Sequence, residues 1–323
     1  MGVPFARFSN GLSPVVPAAA GVLLTAVKER RNTMQTIRNS AMTVTIDEMG
    51  AQLMSITAAD GTEYLWNGDP AYWTGRAPVL FPYVGRLTND RYTYGGKEYE
   101  MTRHGFAKRE AFSVVNVGKD HVTLHIQDTA ETRQIYPFAF HFDVSYVLQG
   151  KTLVIVYATE NMDNKTMFFG LGGHPGFRVP LEEGKDFADY RLTFAEPCQP
   201  WQVLMSDKYM LGGHEAPYPL ENGVDMPLRH DLFDHDAIIL KNFARRVTLS
   251  AGEGTKGITL DCPKMRYMGV WHQPRTDAPY VCLEPWVSLP TREGVVEDLS
   301  QQFDLISLAP RQRYENRWTV TIF

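Results

Sequence analysis

The sequence predicts an all-β protein, a single large antiparallel β-sandwich, and three observations carry that expectation. Apolar and polar residues alternate with period two in one segment after another. Helical periodicity is scarce. Most of the 26 glycines and 20 prolines fall between the apolar runs, where turns need them. Successive side chains of a strand point to opposite faces, so alternation marks a sheet with one buried side. Many short strands separated by turns read as a sandwich or barrel. At 323 residues the chain reaches the size where one core usually stops growing. One domain is favoured over two because no linker, repeat or composition break follows residue 40.

Taken in order, strands begin near Ile37. Residues 42–46 alternate apolar side chains with threonine, and residues 121–127 place Val122, Leu124 and Ile126 on one face. Residues 142–148 and 152–159 flank Gln149-Gly150-Lys151 as the arms of a hairpin, and Gly95-Gly96 joins residues 92–94 to 97–99 in the same way. Further strands are expected at 246–250, 257–260, 267–271, 280–284 and 316–322. The best stretch with helical spacing is 295–303.

Residues 1–33 stand apart. The small apolar run at 14–27 (PVVPAAAGVLLTAV) is followed directly by KERR at 28–31. An export signal has the opposite order, with its positive charge first and a small-residue cleavage site after the apolar run. The run is also shorter than the ~20 residues that span a bilayer. The segment reads as a disordered or weakly helical extension, and residues 34–323 as the folded domain.

With 44% hydrophobic and 21% charged residues the chain can bury a sizeable core. Its net charge of -5 comes from interspersed acids and bases, which excludes the basic stripe of a nucleic-acid surface. No membrane partner is expected. Cys198, Cys262 and Cys282 lie far apart without CxxC spacing. That pattern fits free thiols in a cytoplasmic protein and offers no zinc site. Asp231, Asp234, His235 and Asp236 form an acidic cluster without the i, i+4 spacing of helical ligands, so it reads as a solvated loop.

Four segments depart from ordinary strand and turn sequence. In residues 78–87 two prolines interrupt an apolar run and leave Arg86 after a glycine. His104 precedes Gly105, whose lack of a side chain lets a ligand approach closely. Residues 170–177 hold four glycines and a proline, a density that presents His174 and Phe177 to a concavity. No Lys-Ser/Thr pair follows, so this is not a phosphate-binding loop. Glu284 ends an apolar strand directly before Pro285, which keeps its backbone extended. A carboxylate among Cys282, Leu283 and Trp286 is either paired or functional, since an unpaired buried charge is costly. Alone, each segment also reads as structural.

Together they resemble the aldose 1-epimerase (mutarotase) family, in particular its LacX-like branch. The matching pieces are LFPYVGRL (80–87), HGFAK (104–108), YPFAF (136–140), GGHPGF (172–177), DLFDHDAIIL (231–240) and CLEPW (282–286). Position 108 is lysine where the family commonly has arginine. The resemblance implies the galactose-mutarotase-like supersandwich, with a sugar cleft on one sheet. It assigns His174 as general acid and Glu284 as general base, with no cofactor and no metal. It gives His104 contact with the ring oxygen or hydroxyls, and Arg86 and Asp236 contact with hydroxyls. Asp234 competes with Asp236 for that role. Trp286, Phe177 and Tyr83, beside these residues, are expected to line the cleft as stacking surfaces for a sugar.

The implied activity is interconversion of the α and β anomers of a small-molecule hexose. Two alternatives stay open. A hexose-6-phosphate mutarotase would need extra cations, which Arg76, Arg91 and Arg103 could supply. A carbohydrate-binding protein without catalysis would not need an acid–base pair. Oligomeric state is not legible in the sequence.

Overall fold

Alternating burial organises the longest strands. Phe140–Gln149 turns Phe140, Phe142, Val144, Tyr146 and Leu148 inward and the residues between them outward. It pairs antiparallel with Thr152–Asn161 through the turn at Gly150, so that Val147 faces Val154 across the ladder. These two strands sit within a nine-stranded sheet. In spatial order its strands are Asp225–Pro227, Tyr190–Phe194, Arg246–Ala251, Gly257–Asp261, Arg313–Ile322, Thr152–Asn161, Phe140–Gln149, His121–Gln127 and Ser113–Val117. The computed structural model describes residues 33–323. The expected N-terminal extension therefore lies outside the described residues, apart from Thr33.

A second sheet has eight strands. It runs Leu211–Pro217, Trp201–Met205, Ile238–Lys241, Tyr267–Trp271, Tyr280–Trp286, Gly172–Gly173 and Val79–Leu80, with Gly176–Arg178 also pairing to Tyr280–Trp286. Every strand pair in both sheets is antiparallel. Val281, Leu283, Val270 and Leu240 of this sheet share one core with Phe142, Ile155, Trp318 and Val320 of the larger sheet. The fold is thus the antiparallel β-sandwich that the sequence predicts. Fully burying a Val, Leu or Phe is worth roughly 1.5–3 kcal/mol, whereas an exposed ion pair is worth about 0–1 kcal/mol. Burial between the sheets therefore dominates over surface pairs such as Arg91–Glu98.

Expected strands reappear at 42–47, 121–127, 140–149, 152–161, 246–251, 257–261, 267–271, 280–286 and 313–322, with small shifts at their ends. The expected helix at 295–303 does not form. There the backbone pairs sideways with a hairpin strand: Thr93 N–H donates to Glu297 O and Leu299 N–H to Thr93 O. Phe303, counted in the helical pattern, is 73% exposed. The short α-helix instead spans Ala130–Ile135 and starts at a Thr129/Thr132 capping box. Cys262 and Cys282 are buried, Cys198 is half-buried, and all three are free thiols. No helix among the described residues is long and apolar enough to cross a membrane.

Candidate active site

The site is built on the face of the second sheet opposite the shared core. Along Tyr280–Trp286, Val281 and Leu283 point to the core, so Cys282, Glu284 and Trp286 point the other way. Glu284 stands directly opposite Gly269 on the neighbouring strand, where a Cβ would lie 3.1 Å from that of Glu284. The glycine leaves room for the carboxyl. His174 follows Gly172–Gly173, and its N–H donates to Pro78 O at 3.2 Å. A Cβ on Gly172 would come within 2.7 Å of Trp286, and one on Gly173 within 2.8 Å of Trp318. The glycine-rich segment is therefore a close-packed passage between two indoles, with His174 at its end.

His174 Nε2 lies 3.2 Å from Glu284 Oε2. The histidine is 9% exposed and the glutamate 2%. Trp73 stacks on the imidazole with ring centres 5.0 Å apart, and Trp271 and His104 meet it edge-on at 5.6 Å each. Burial acts on the two groups in opposite directions. It pushes the His174 imidazole down to about 3, aided by the charges of Arg103 and Lys108. It also holds the Glu284 carboxyl well above the usual carboxylate range, with Asp236 adding to the effect. Burial thus favours the uncharged form of both groups, a protonated carboxyl beside a neutral imidazole.

His104 adopts φ 65° and accepts the Gly85 N–H on Nδ1 at 3.1 Å. Desolvation, with His174 and three cations nearby, pushes its imidazole well below the usual range. It is thus neutral, and its proton sits on Nε2 as a donor. The adjacent Gly105 has a different purpose from the one expected. A Cβ there would fall 2.2 Å from Phe81 O, so the glycine admits backbone and not a ligand. Asp236, at φ 79°, accepts Trp271 Nε1–H at 2.7 Å. Asp234 closes the preceding turn and does not line the cleft, which separates the two candidate acids.

These groups surround one cleft of about 210 Å³, lined by Arg86, His104, His174, Asp236, Glu284 and Trp286. That is below the ~300–1,000 Å³ usual for drug-sized ligands and fits a single small ring. Phe177 is placed elsewhere. It pairs with Val281, is fully buried and belongs to the core, because Pro175-Gly176 turns it to the opposite face from His174. Tyr83 is also a core residue, with its hydroxyl donating to Gln302. Arg91 is engaged by Glu98 and Glu100, and Arg76 donates to Met54 O, so neither reaches the cleft. Arg103 does line it.

Trp73, Trp271, Tyr209 and Gln273 line the cleft without having been singled out from sequence. Only Trp271 carried a readable signal, as the last residue of an expected strand. His174, Cys282 and Glu284 also bring three atoms of metal-ligating type within 4.8 Å of one another.

Fold and site together define an antiparallel β-sandwich that holds a buried His/Glu pair in a cleft walled by tryptophans. The chain belongs to the aldose 1-epimerase family, which it matches over residues 33–319. It is 35% identical over 284 residues to the plasmid-encoded Protein LacX of Lactococcus lactis subsp. lactis, spanning 84% of this chain and 94% of that one. The chromosomal LacX of the same organism matches to the same extent. Among solved structures, a galactose mutarotase related enzyme from Lactobacillus acidophilus superimposes with a TM-score of 0.85 at 32% identity, covering 90% of this chain and 97% of that one. A galactose mutarotase-like protein from Lactobacillus casei gives 0.84 at 33% identity, covering 90% and 100%.

Proposed function

We propose that the protein interconverts the α and β anomers of an aldose, with Glu284 as base and His174 as acid. The observation that carries this reading is the 3.2 Å approach of His174 Nε2 to Glu284 Oε2 in a cleft sized for one ring. The carboxylate takes the proton from the C1 hydroxyl while the imidazolium protonates the ring oxygen. The C1–O5 bond breaks and the C1 carbonyl forms. Rotation about C1–C2 presents the other face, and the same two groups return their protons in reverse. Nothing is oxidised and no water is consumed.

The resting proton on Glu284 must first pass to His174, across the short contact between them. A bound sugar favours that transfer. Its C1 hydroxyl donates to the carboxylate and its ring oxygen accepts from the imidazolium, and hydrogen bonds to charged partners are the stronger ones. Arg103 favours the Glu284 carboxylate and opposes the His174 imidazolium, so it acts on both ends of the transfer. His104 Nε2–H, Arg86 and Asp236 orient hydroxyls, and Trp286 offers an apolar wall. Each positioned acid or base contributes roughly 10²–10⁴-fold.

A pH profile tests the shared proton. kcat/KM for a neutral aldose reports the free enzyme, in which the pair takes up a second proton only below about pH 3, set by His174. The raised Glu284 carboxyl sets the upper limit. The expected profile is therefore flat from about pH 5 to neutrality, without the fall near ~6.5 that an ordinary imidazole would impose. Initial rates of anomer conversion by polarimetry provide the measurement. A tenfold loss between pH 7 and pH 5 would contradict the shared-proton account.

A further inference from the structure

We infer that His230 and His272 form a hydrogen-bond relay that positions Gln273 to hold a sugar hydroxyl in the cleft; the inference rests on the anomer reading above. Three consecutive residues carry the argument. Trp271 ends its strand on the site face, His272 is fully buried, and Gln273 lines the cleft. His272 Nδ1 lies 2.7 Å from Gln273 O, and a carbonyl oxygen only accepts, so the imidazole proton sits on Nδ1. Its Nε2, 3.0 Å from His230 Nδ1, is then the acceptor, and His230 donates from Nδ1. The His230 ring stacks on Phe187 with centres 4.0 Å apart. Phe233 and Phe187 pack against His272 at 4.3 and 5.5 Å. Burial pushes the His272 imidazole down to about 4, which keeps it a neutral acceptor.

The relay ends on a backbone fixed on both sides. Gln273 N–H donates to Tyr280 Oη at 3.0 Å, and Gln273 O accepts from Thr276 Oγ1–H at 2.7 Å as well as from His272. Among the described residues nothing engages the Gln273 side-chain amide. That amide offers a donor and an acceptor to one hydroxyl. The turn that begins at His230 leads on to Asp236, which accepts Trp271 Nε1–H. The two histidines and the Asp236–Trp271 bond thus join the same two segments at two points, and both segments line the cleft. Without the His230 donor, His272 Nε2 would be buried and unpaired. Rotation of the ring relieves that state only by giving up the bond to Gln273 O.

The test begins with long-range proton–nitrogen NMR of the imidazoles in the wild-type protein at neutral pH. His230 and His272 should both carry their proton on Nδ1; an Nε2–H form of His272 would overturn the relay. His230→Phe keeps a ring on Phe187 but removes the donor. It should raise KM for an accepted aldose about fivefold, with kcat kept within about twofold. His230→Asn, whose amide nitrogen can take the place of Nδ1, should restore KM. In a Gln273→Ala background, His230→Phe should add nothing to KM, because the residue through which it acts is gone. An unaltered KM in His230→Phe, an Asn variant as impaired as the Phe variant, or a further rise in the Gln273→Ala background would each overturn the inference and leave the anomer reading intact. If no sugar is turned over, the anomer reading fails, and quenching of tryptophan fluorescence by the same sugars replaces KM. Weaker quenching with His230→Phe then supports the relay, and the same quenching as wild type overturns it.

Discussion

Glu284→Gln should abolish anomer exchange, by about 10³-fold or more, while making the folded protein more stable above neutral pH. The first effect follows from removing the base, since an amide cannot take the C1 hydroxyl proton. The second follows from burial. The folded carboxyl titrates well above its ordinary value of 4.5. Its contribution to stability is full below that unfolded value and is lost as pH rises through the folded one. The amide fills the same space without titrating. The difference in Tm between variant and wild type should thus widen from about pH 5 toward pH 9, by roughly 2–4 °C for each kcal/mol. Melting curves across that range check it. A variant less stable than wild type at pH 8 would show that the cleft is not holding a costly buried acid.

Gly105→Ala should be among the most damaging single-methyl additions, costing about 2–4 kcal/mol and lowering Tm by several degrees. Its φ of +69° already disfavours any side chain, by about 1–2 kcal/mol. The added Cβ would also meet Phe81 O at 2.2 Å and Phe81 C at 2.5 Å. That carbonyl accepts both Phe106 N–H and Ala107 N–H at 3.1 Å, so it cannot move without releasing them. His104 would shift with the turn, raising KM as well. Gly95→Ala is the matched control: φ is +58° but nothing lies within 4 Å, so only the backbone term applies. Thermal melts should place the Gly105 variant well below the Gly95 variant. Equal melting temperatures would refute the close-packing account of the 103–108 turn.

The sandwich was legible because period two survives wherever one sheet face is buried, as in residues 42–47 and 121–127. The helix expected at 295–303 failed because a hydrogen-bond partner distant in sequence, Thr93, took the backbone groups that local helical bonding would use. At the site, His174 and Glu284 could be named only from the ordered set of segments around them. Their own surroundings also fitted structural roles. Phe177 was misplaced because nearness in sequence to His174 said nothing about which face it would take after Pro175-Gly176. Trp73 could not be found by pattern at all. It reaches His174 from a loop about 100 residues earlier, and only the folded sandwich brings the two rings to 5.0 Å. The cations divided in the same way: Arg91 was taken up by its own hairpin, while Arg103 was left facing the cleft.

The central claim is that His174 and Glu284 catalyse anomer exchange. The most direct test is magnetisation transfer between the α and β anomeric proton signals of free and phosphorylated hexoses at equilibrium, with wild-type protein and Glu284→Gln side by side. The account predicts transfer for at least one sugar with wild type, and only the uncatalysed background with the variant. No acceleration for any sugar with wild type, or equal transfer with the variant, would contradict it.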